Sequence, residues 1–350
     1  MIELANKLQI VVFNTAAETS GAIAELYRFR AETEKYFNKS VVWYYVLGRA
    51  ELPESKSVKI HCYPWTKRIW AARLYFDTFI APRIVNSAKA DFVISLQNNT
   101  ISCGHKSQLL FVQLCFPFVN YKFQITQLRL WLHQNIIGFF TIRSIRKANM
   151  IVVQNEWMKE ACARKAKIDK NKIRILKQSF VPPSFFSRFR PTSSSFKSFF
   201  FPATNMPYKN HSLLLNAAAI VKQEGNVNFD LVLTLYGNDK DRTTYLKNMA
   251  ESTGVTVNFI GSLSREDVFI NYSKSVLVFP SLIETVGLPL VEAKATGCLI
   301  FAYDAEYSRD VLKGYSDAYF FTDVMSLSAL IRDCIAGKID YHGGLDTYKH

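Results

Sequence analysis

The stretch from Ser275 to Phe301 narrows the folds open to this chain more than any other. It begins with an apolar run, Ser275 to Pro280, that has the length and composition of a buried parallel strand. Glu284, Thr285 and Gly287 then fall in a loop. Leu288-Pro289 opens a helix, with proline early enough that its missing N–H costs nothing. Gly297 ends the helix and Leu299-Ile300-Phe301 starts another strand. A helix N-terminus behind a glycine-containing loop offers unpaired N–H groups and the positive end of a dipole, which suits bound phosphate. Val286, Gly287 and Leu288 are the residues whose N–H groups would serve.

Glu284 and Glu292 are eight residues apart, and only the second lies well inside the helix. One carboxylate can sit beside the phosphate end of a ligand while the other reaches a polar group about two turns along. Ionised carboxylates accept the hydrogen bonds that sugar hydroxyls donate. Taken singly, each is also an ordinary helix glutamate. The whole string E-T-V-G-L-P-L-V-E-A-K-A-T-G resembles the E-x7-E signature of retaining GT-B glycosyltransferases of family 4.

The rest of the chain has the β-α rhythm of two open parallel sheets, an α/β class reading. Leu8 to Phe13 reads as a first strand, followed by a small-residue loop to Gly21 and a helix over Ala22 to Tyr36. Ser20 and Gly21 stand where the resembling family usually has two glycines beside phosphate, and so count as binding candidates. Val41 to Leu47, Val58 to Tyr63, Asp91 to Leu96 and Leu109 to Leu114 read as further strands. Gln113 ends the last of these, where many family members carry a histidine that contacts the donor sugar; Asn98 and Asn99 are well placed at a neighbouring strand end. Pro64 to Arg83 and Gln127 to Lys147 read as helices that mix aromatic and basic residues.

Pro182-Pro183 and the following Ser/Thr-rich segment mark a boundary. The expected domains are therefore 1–183, a linker over 184–198, and 199–350. In the second domain Lys209 precedes a helix over Ser212 to Gln223 and can reach a diphosphate as a compact charge. The resembling family commonly has an arginine five residues before this lysine; here Thr204 and then Asn205 occupy that place. Gly261 sits in the loop that in the family runs beside the nucleotide base.

Charge separates the two halves. Residues 1–190 hold 29 Lys/Arg against 12 Asp/Glu, whereas residues 191–350 hold 14 against 17. The first half therefore expects an anionic partner, a membrane surface or a nucleic acid. No apolar run reaches the roughly 18 to 20 residues of a spanning helix, and the N-terminus lacks the features of a secretory signal. The six cysteines are scattered with no C-x-x-C pair, which fits reduced buried thiols and neither a disulfide frame nor a zinc site.

The resemblance implies a GT-B architecture of two doubly wound parallel-sheet domains facing across a cleft, the acceptor on the first and the donor on the second. It implies a retaining transferase that moves a hexose from a GDP- or UDP-linked sugar to a glycan, with no metal and no cofactor beyond that substrate. Glu284 would hold donor-sugar hydroxyls, Lys209 the diphosphate, Glu292 the ribose, and Gln113 would stand at the sugar. The expected acceptor is a lipid-linked glycan of bacterial surface polysaccharide synthesis, handled by a cytoplasmic protein peripheral on an anionic membrane, with no nucleic acid. Two other classes remain open on sequence: a GT-B nucleotide-sugar 2-epimerase, and a non-catalytic basic protein that binds membrane or nucleic acid.

Overall fold

A computed structural model of the chain describes residues 7–15, 20–37, 40–104, 106–177, 180, 183–185, 187–225, 227–236 and 242–344. The chain divides into two compact units, Met1–Lys177 and Gln178–His350.

The first unit is built on seven parallel strands: β1 (Leu8–Asn14), β2 (Val41–Leu47), β3 (Val58–Cys62), β4 (Phe92–Ser95), β5 (Ser107–Phe111), β6 (Met150–Val153) and β7 (Ile173–Ile175). Their order is β3-β2-β1-β4-β5-β6-β7, all neighbours parallel. Helices cover both faces, so the strands are apolar on both sides, and six of the seven residues of β2 are buried. One face packs Leu26 of helix Ser20–Phe37 on Val12, Trp43 and Tyr45. The other packs Phe76, Ala81 and Val85 on Val11, Phe13 and Val93.

The second unit repeats the plan with β8 (Ser198–Phe201), β9 (Asp230–Leu233), β10 (Thr256–Phe259), β11 (Val276–Phe279), β12 (Ile300–Tyr303) and β13 (Ala318–Phe321). The order is β10-β9-β8-β11-β12-β13, again parallel. In each unit the strand order reverses beside the first strand, between β1 and β4 and between β8 and β11. Chains leaving two such neighbours turn to opposite faces of the sheet, and the crevice left at their carboxyl ends is where open α/β sheets take ligands.

Residues 184–198, expected as a linker, lie in the second unit. Phe189 is buried, its ring packs on Tyr341, and its N–H donates to the Thr296 carbonyl at 2.8 Å. The strand expected over Leu109 to Leu114 ends at Phe111, which leaves Gln113 in the loop beyond it. The two aromatic and basic helices are each broken by a five-residue π turn. Helix 70–87 carries one at Phe76–Ile80 and helix 128–147 one at His133–Ile137. Pro82 lies just past the first and has no N–H to give the Thr78 carbonyl, which loosens the ladder there. Just past the second, Gly138 lies against Pro117, whose Cγ would be 2.8 Å from any Cβ at that position. Of the six free thiols, Cys115, Cys162, Cys298 and Cys334 are buried, Cys103 is half-buried and Cys62 is exposed.

Candidate functional site

The switch point of the second unit gathers the residues that the sequence spreads over 75 positions. After β8 the chain forms a short turn, Pro207–Lys209, then passes through Asn210 in the left-handed region (φ 57°) into helix His211–Glu224. After β11 it runs through Ser281 and Glu284 to helix Leu288–Thr296. β8 and β11 are paired neighbours, so the two loops emerge side by side, and the Leu282 N–H donates to the Tyr208 carbonyl at 2.8 Å.

This places the ammonium of Lys209 directly on Oε1 of Glu284 as an ion pair, with each side chain about 15% exposed. The Ser281 hydroxyl donates to the same oxygen at 2.7 Å, and the Tyr307 hydroxyl in turn donates to the Ser281 carbonyl. Ser281 and Tyr307 are both buried, which fixes the carboxylate from behind. Oε2 of Glu284 accepts no bond among the described residues. The Lys209 ammonium also lies 5.8 Å from the ring centres of Tyr208 and Phe279, a cation–π distance.

Gly287 begins the following helix in the left-handed region (φ 73°), and no side chain caps it. Pro289 has no N–H, and the N–H groups of Val286, Gly287 and Leu288 find no partner among the described residues. These are the donors an anion would use. Lys209 and Glu284 cancel each other, so the local positive potential comes from the helix end.

Glu292 lies one to two turns along the helix and is 11% exposed in its side chain. The buried Tyr272 hydroxyl donates to Oε2 at 3.2 Å and Arg265 reaches Oε1 at 3.0 Å. Burial pushes the Glu292 carboxyl above its ordinary value; Arg265 and the tyrosine bond oppose that shift without cancelling it. Burial, with the Glu292 charge beside it, also drives the Tyr272 hydroxyl well above the usual phenol range, so Tyr272 stays a donor. Arg265 is mostly exposed and lies over the Phe269 ring.

The remaining expected residues spread along the ends of β8, β9 and β10. The Asn205 amide nitrogen donates to Thr243 Oγ1 at 2.8 Å, and its carbonyl oxygen is buried with no partner among the described residues. Gly261 sits at φ 72° with the Tyr236 ring laid against it; a Cβ there would come within 2.6 Å of that ring. Tyr236 is half exposed and precedes residues 237–241, which lie outside the described residues. That segment holds an Asp-x-Asp, Asp239-Lys240-Asp241, so nothing in the sequence itself argues for metal independence.

Two expectations fall in the first unit. Ser20 and Gly21 begin helix Ser20–Phe37, but residues 16–19 of their loop and the Ser20 side chain lie outside the described residues. Gln113 is half-buried, and its N–H donates to Asn98 Oδ1 at 2.6 Å. The switch point of this unit carries Gln97, whose Oε1 accepts from both the N–H and the hydroxyl of Thr15 at 3.2 Å.

Sequence reasoning missed Arg265, Tyr272, Ser281, Tyr307 and Tyr236. The only available signals were a hydroxyl two residues after an apolar strand (Ser281) and tyrosines among otherwise apolar positions. Neither points to a partner twenty or more residues away.

Residues 187–342 match the family described as glycosyl transferases group 1. A search of curated protein sequences finds no match. Among solved structures, the chain is similar to the lipopolysaccharide outer core galactosyltransferase WaaB (TM-score 0.68, 14% identity, 96% of this chain and 92% of that one). It is similar to sucrose-phosphate synthase from Thermosynechococcus elongatus (TM-score 0.66, 13% identity, 95% and 90%). HepE of Anabaena, solved with UDP, also matches (TM-score 0.64, 14% identity, 94% and 90%).

Proposed function

We propose that this chain, which has a GT-B fold and matches the group 1 glycosyltransferases over residues 187–342, is a glycosyltransferase that moves a hexose from a GDP- or UDP-linked sugar with retention of configuration. The observation that carries the donor assignment is the Lys209–Glu284 pair set beside an uncapped helix N-terminus at a strand-order switch point. A diphosphate arriving there draws Lys209 off Glu284. The lysine and the N–H groups of Val286, Gly287 and Leu288 then meet the phosphate oxygens and stabilise the charge that grows as the nucleoside diphosphate leaves. Glu284, released but still held by Ser281, accepts hydrogen bonds from hydroxyls of the sugar. Glu292, steered by Tyr272 and Arg265, accepts from the ribose, and the base lies against Gly261 and Tyr236. HepE was solved with UDP and with UDP-glucose, which supports a nucleotide-sugar donor.

The acceptor in this reading is a lipid-linked glycan of bacterial surface polysaccharide synthesis, met at the cytoplasmic face of an anionic membrane. Among the described residues no helix is long and apolar enough to cross a membrane. The broken helices of the first unit expose Leu74, Tyr75, Phe79, Leu128, Ile136 and Phe139, with Arg68, Arg83 and Arg129 on the same segments. Exposed apolar side chains on segments that also carry cations suit an acidic lipid surface.

The test is a thermal-shift series with GDP, UDP and their sugar conjugates on wild type, Lys209→Ala, Glu284→Ala and Glu292→Ala. A ligand at 100 times its dissociation constant adds about 2.7 kcal/mol. Stabilisation by one nucleotide family that is lost in Lys209→Ala supports the site; silence of folded wild type across the panel removes it.

A further inference from the structure

Within the first unit a cavity of about 830 Å³ opens between helix 70–87, helix 128–147 and the loop that follows β4. Its charge is one-sided. Lys106, Arg143 and Lys147 line it, and none has a carboxylate partner among the described residues. The single carboxylate lining it, Asp77, is already held by Arg73 at 2.8 Å and by the Gln97 amide at 3.4 Å. From Phe92 to Asn155 the chain contains no Asp or Glu at all.

The amides of the wall are turned to donate. Asn98 is held in the left-handed region (φ 66°), where its Oδ1 accepts the backbone N–H groups of Gln113 and Leu114 at 2.6 and 2.8 Å. Asn149 Oδ1 accepts the Gln108 N–H at 2.9 Å. A backbone N–H can only donate, so these bonds fix which end of each amide is oxygen. The Nδ2 groups of both asparagines are left without a partner among the described residues. Leu74, Ile137 and Phe140 supply an apolar side to the same cavity.

Unpaired cations, free amide donors and an apolar wall in one cavity describe a ligand with a phosphate at one end and hydrocarbon at the other. We propose that this cavity seats the phosphate of an amphiphile, with Lys106, Arg143, Lys147 and the amides of Asn98 and Asn149 on the oxygens and the chain along Leu74, Ile137 and Phe140. Its role as the place of the acceptor lipid rests on the transferase reading above; binding itself does not.

Farnesyl phosphate below its micelle concentration, farnesol and inorganic phosphate are titrated calorimetrically into the whole protein. Wild type is compared with Asn149→Asp and with Arg143→Gln combined with Lys147→Gln, and UDP binding is measured on each sample. Asn149→Asp keeps the oxygen that Gln108 needs and replaces the free donor with a negative oxygen. The expected result is that farnesyl phosphate binds more tightly than either fragment and at least tenfold more weakly to both variants, with UDP binding unchanged. Equal affinity for farnesol, equal affinity for inorganic phosphate, or variants that bind like wild type would each overturn the proposal. Loss of UDP binding everywhere, with farnesyl phosphate binding as expected, would count against the donor site and leave this cavity standing.

Discussion

Lys209 and Glu284, 75 residues apart, form an ion pair across the ends of two adjacent strands, and each is nearly enclosed. Either partner alone would be a poorly solvated charge. Lys209→Met or Glu284→Gln alone should each cost roughly 1–3 kcal/mol of stability, and the double variant less than the sum, because no stranded charge remains. Urea unfolding of the four proteins measures the coupling; simple additivity would mean that the two groups are independently hydrated in solution.

The raised carboxyl of Glu292 ties stability to pH. Folding favours its protonated form, so its favourable contribution is complete below the ordinary value of 4.5 and fades as pH climbs through the raised folded value. Glu292→Gln does not titrate. Its melting temperature should match wild type at low pH and move above it as pH rises towards neutral, while UDP or GDP binding weakens. A melting difference that is flat with pH would show that Arg265 fully offsets the burial.

Gly261 meets Tyr236 in a way that only glycine permits. Gly261→Ala should cost about 1–2 kcal/mol from the left-handed backbone alone, and the added methyl should push the tyrosine ring aside. Adding Tyr236→Ala should relieve the clash but not the backbone cost. If the base rests on this pair, nucleotide affinity falls in all three variants; unchanged affinity would place the base elsewhere.

Transfer with the intact protein should be insensitive to EDTA. Inhibition that is reversed by added divalent metal, and lost in Asp239→Asn combined with Asp241→Asn, would instead assign a metal to that Asp-x-Asp.

Cosedimentation with vesicles should require acidic lipid and weaken with salt. Phe79→Ser and Phe139→Ser should each weaken it by one to two decades, since burying a phenylalanine contributes about 1.5–3 kcal/mol. Equal binding to neutral vesicles would remove the cationic part of the surface.

The second unit was largely legible in the sequence because its signals are local. Val276–Phe279 is a short apolar run, Pro289 and Gly297 bracket a helix, and Glu284 and Glu292 fall in one segment. What holds those glutamates was not legible. Tyr272 and Arg265 reach Glu292, and Tyr307 reaches the Ser281 carbonyl beside Glu284, from other elements and through an arrangement that no local pattern encodes. The first unit read less clearly for a different reason: its aromatic-rich helices looked continuous, and hydropathy periodicity does not register one extra residue in a turn.

That extra residue has a consequence for which faces the helix presents on either side of it. A π turn holds one residue more than the α-helix around it, and a single residue turns a helix by about 100°. If the same residues ran through His133–Ile137 as an unbroken α-helix, Arg143 and Lys147 would swing about a quarter-turn relative to Leu128 and Leu132. The side chains would all still be present, but the exposed apolar stripe and the cavity-facing stripe would no longer be in phase. The geometry of that turn is therefore as specific to this protein as the identity of any residue in it.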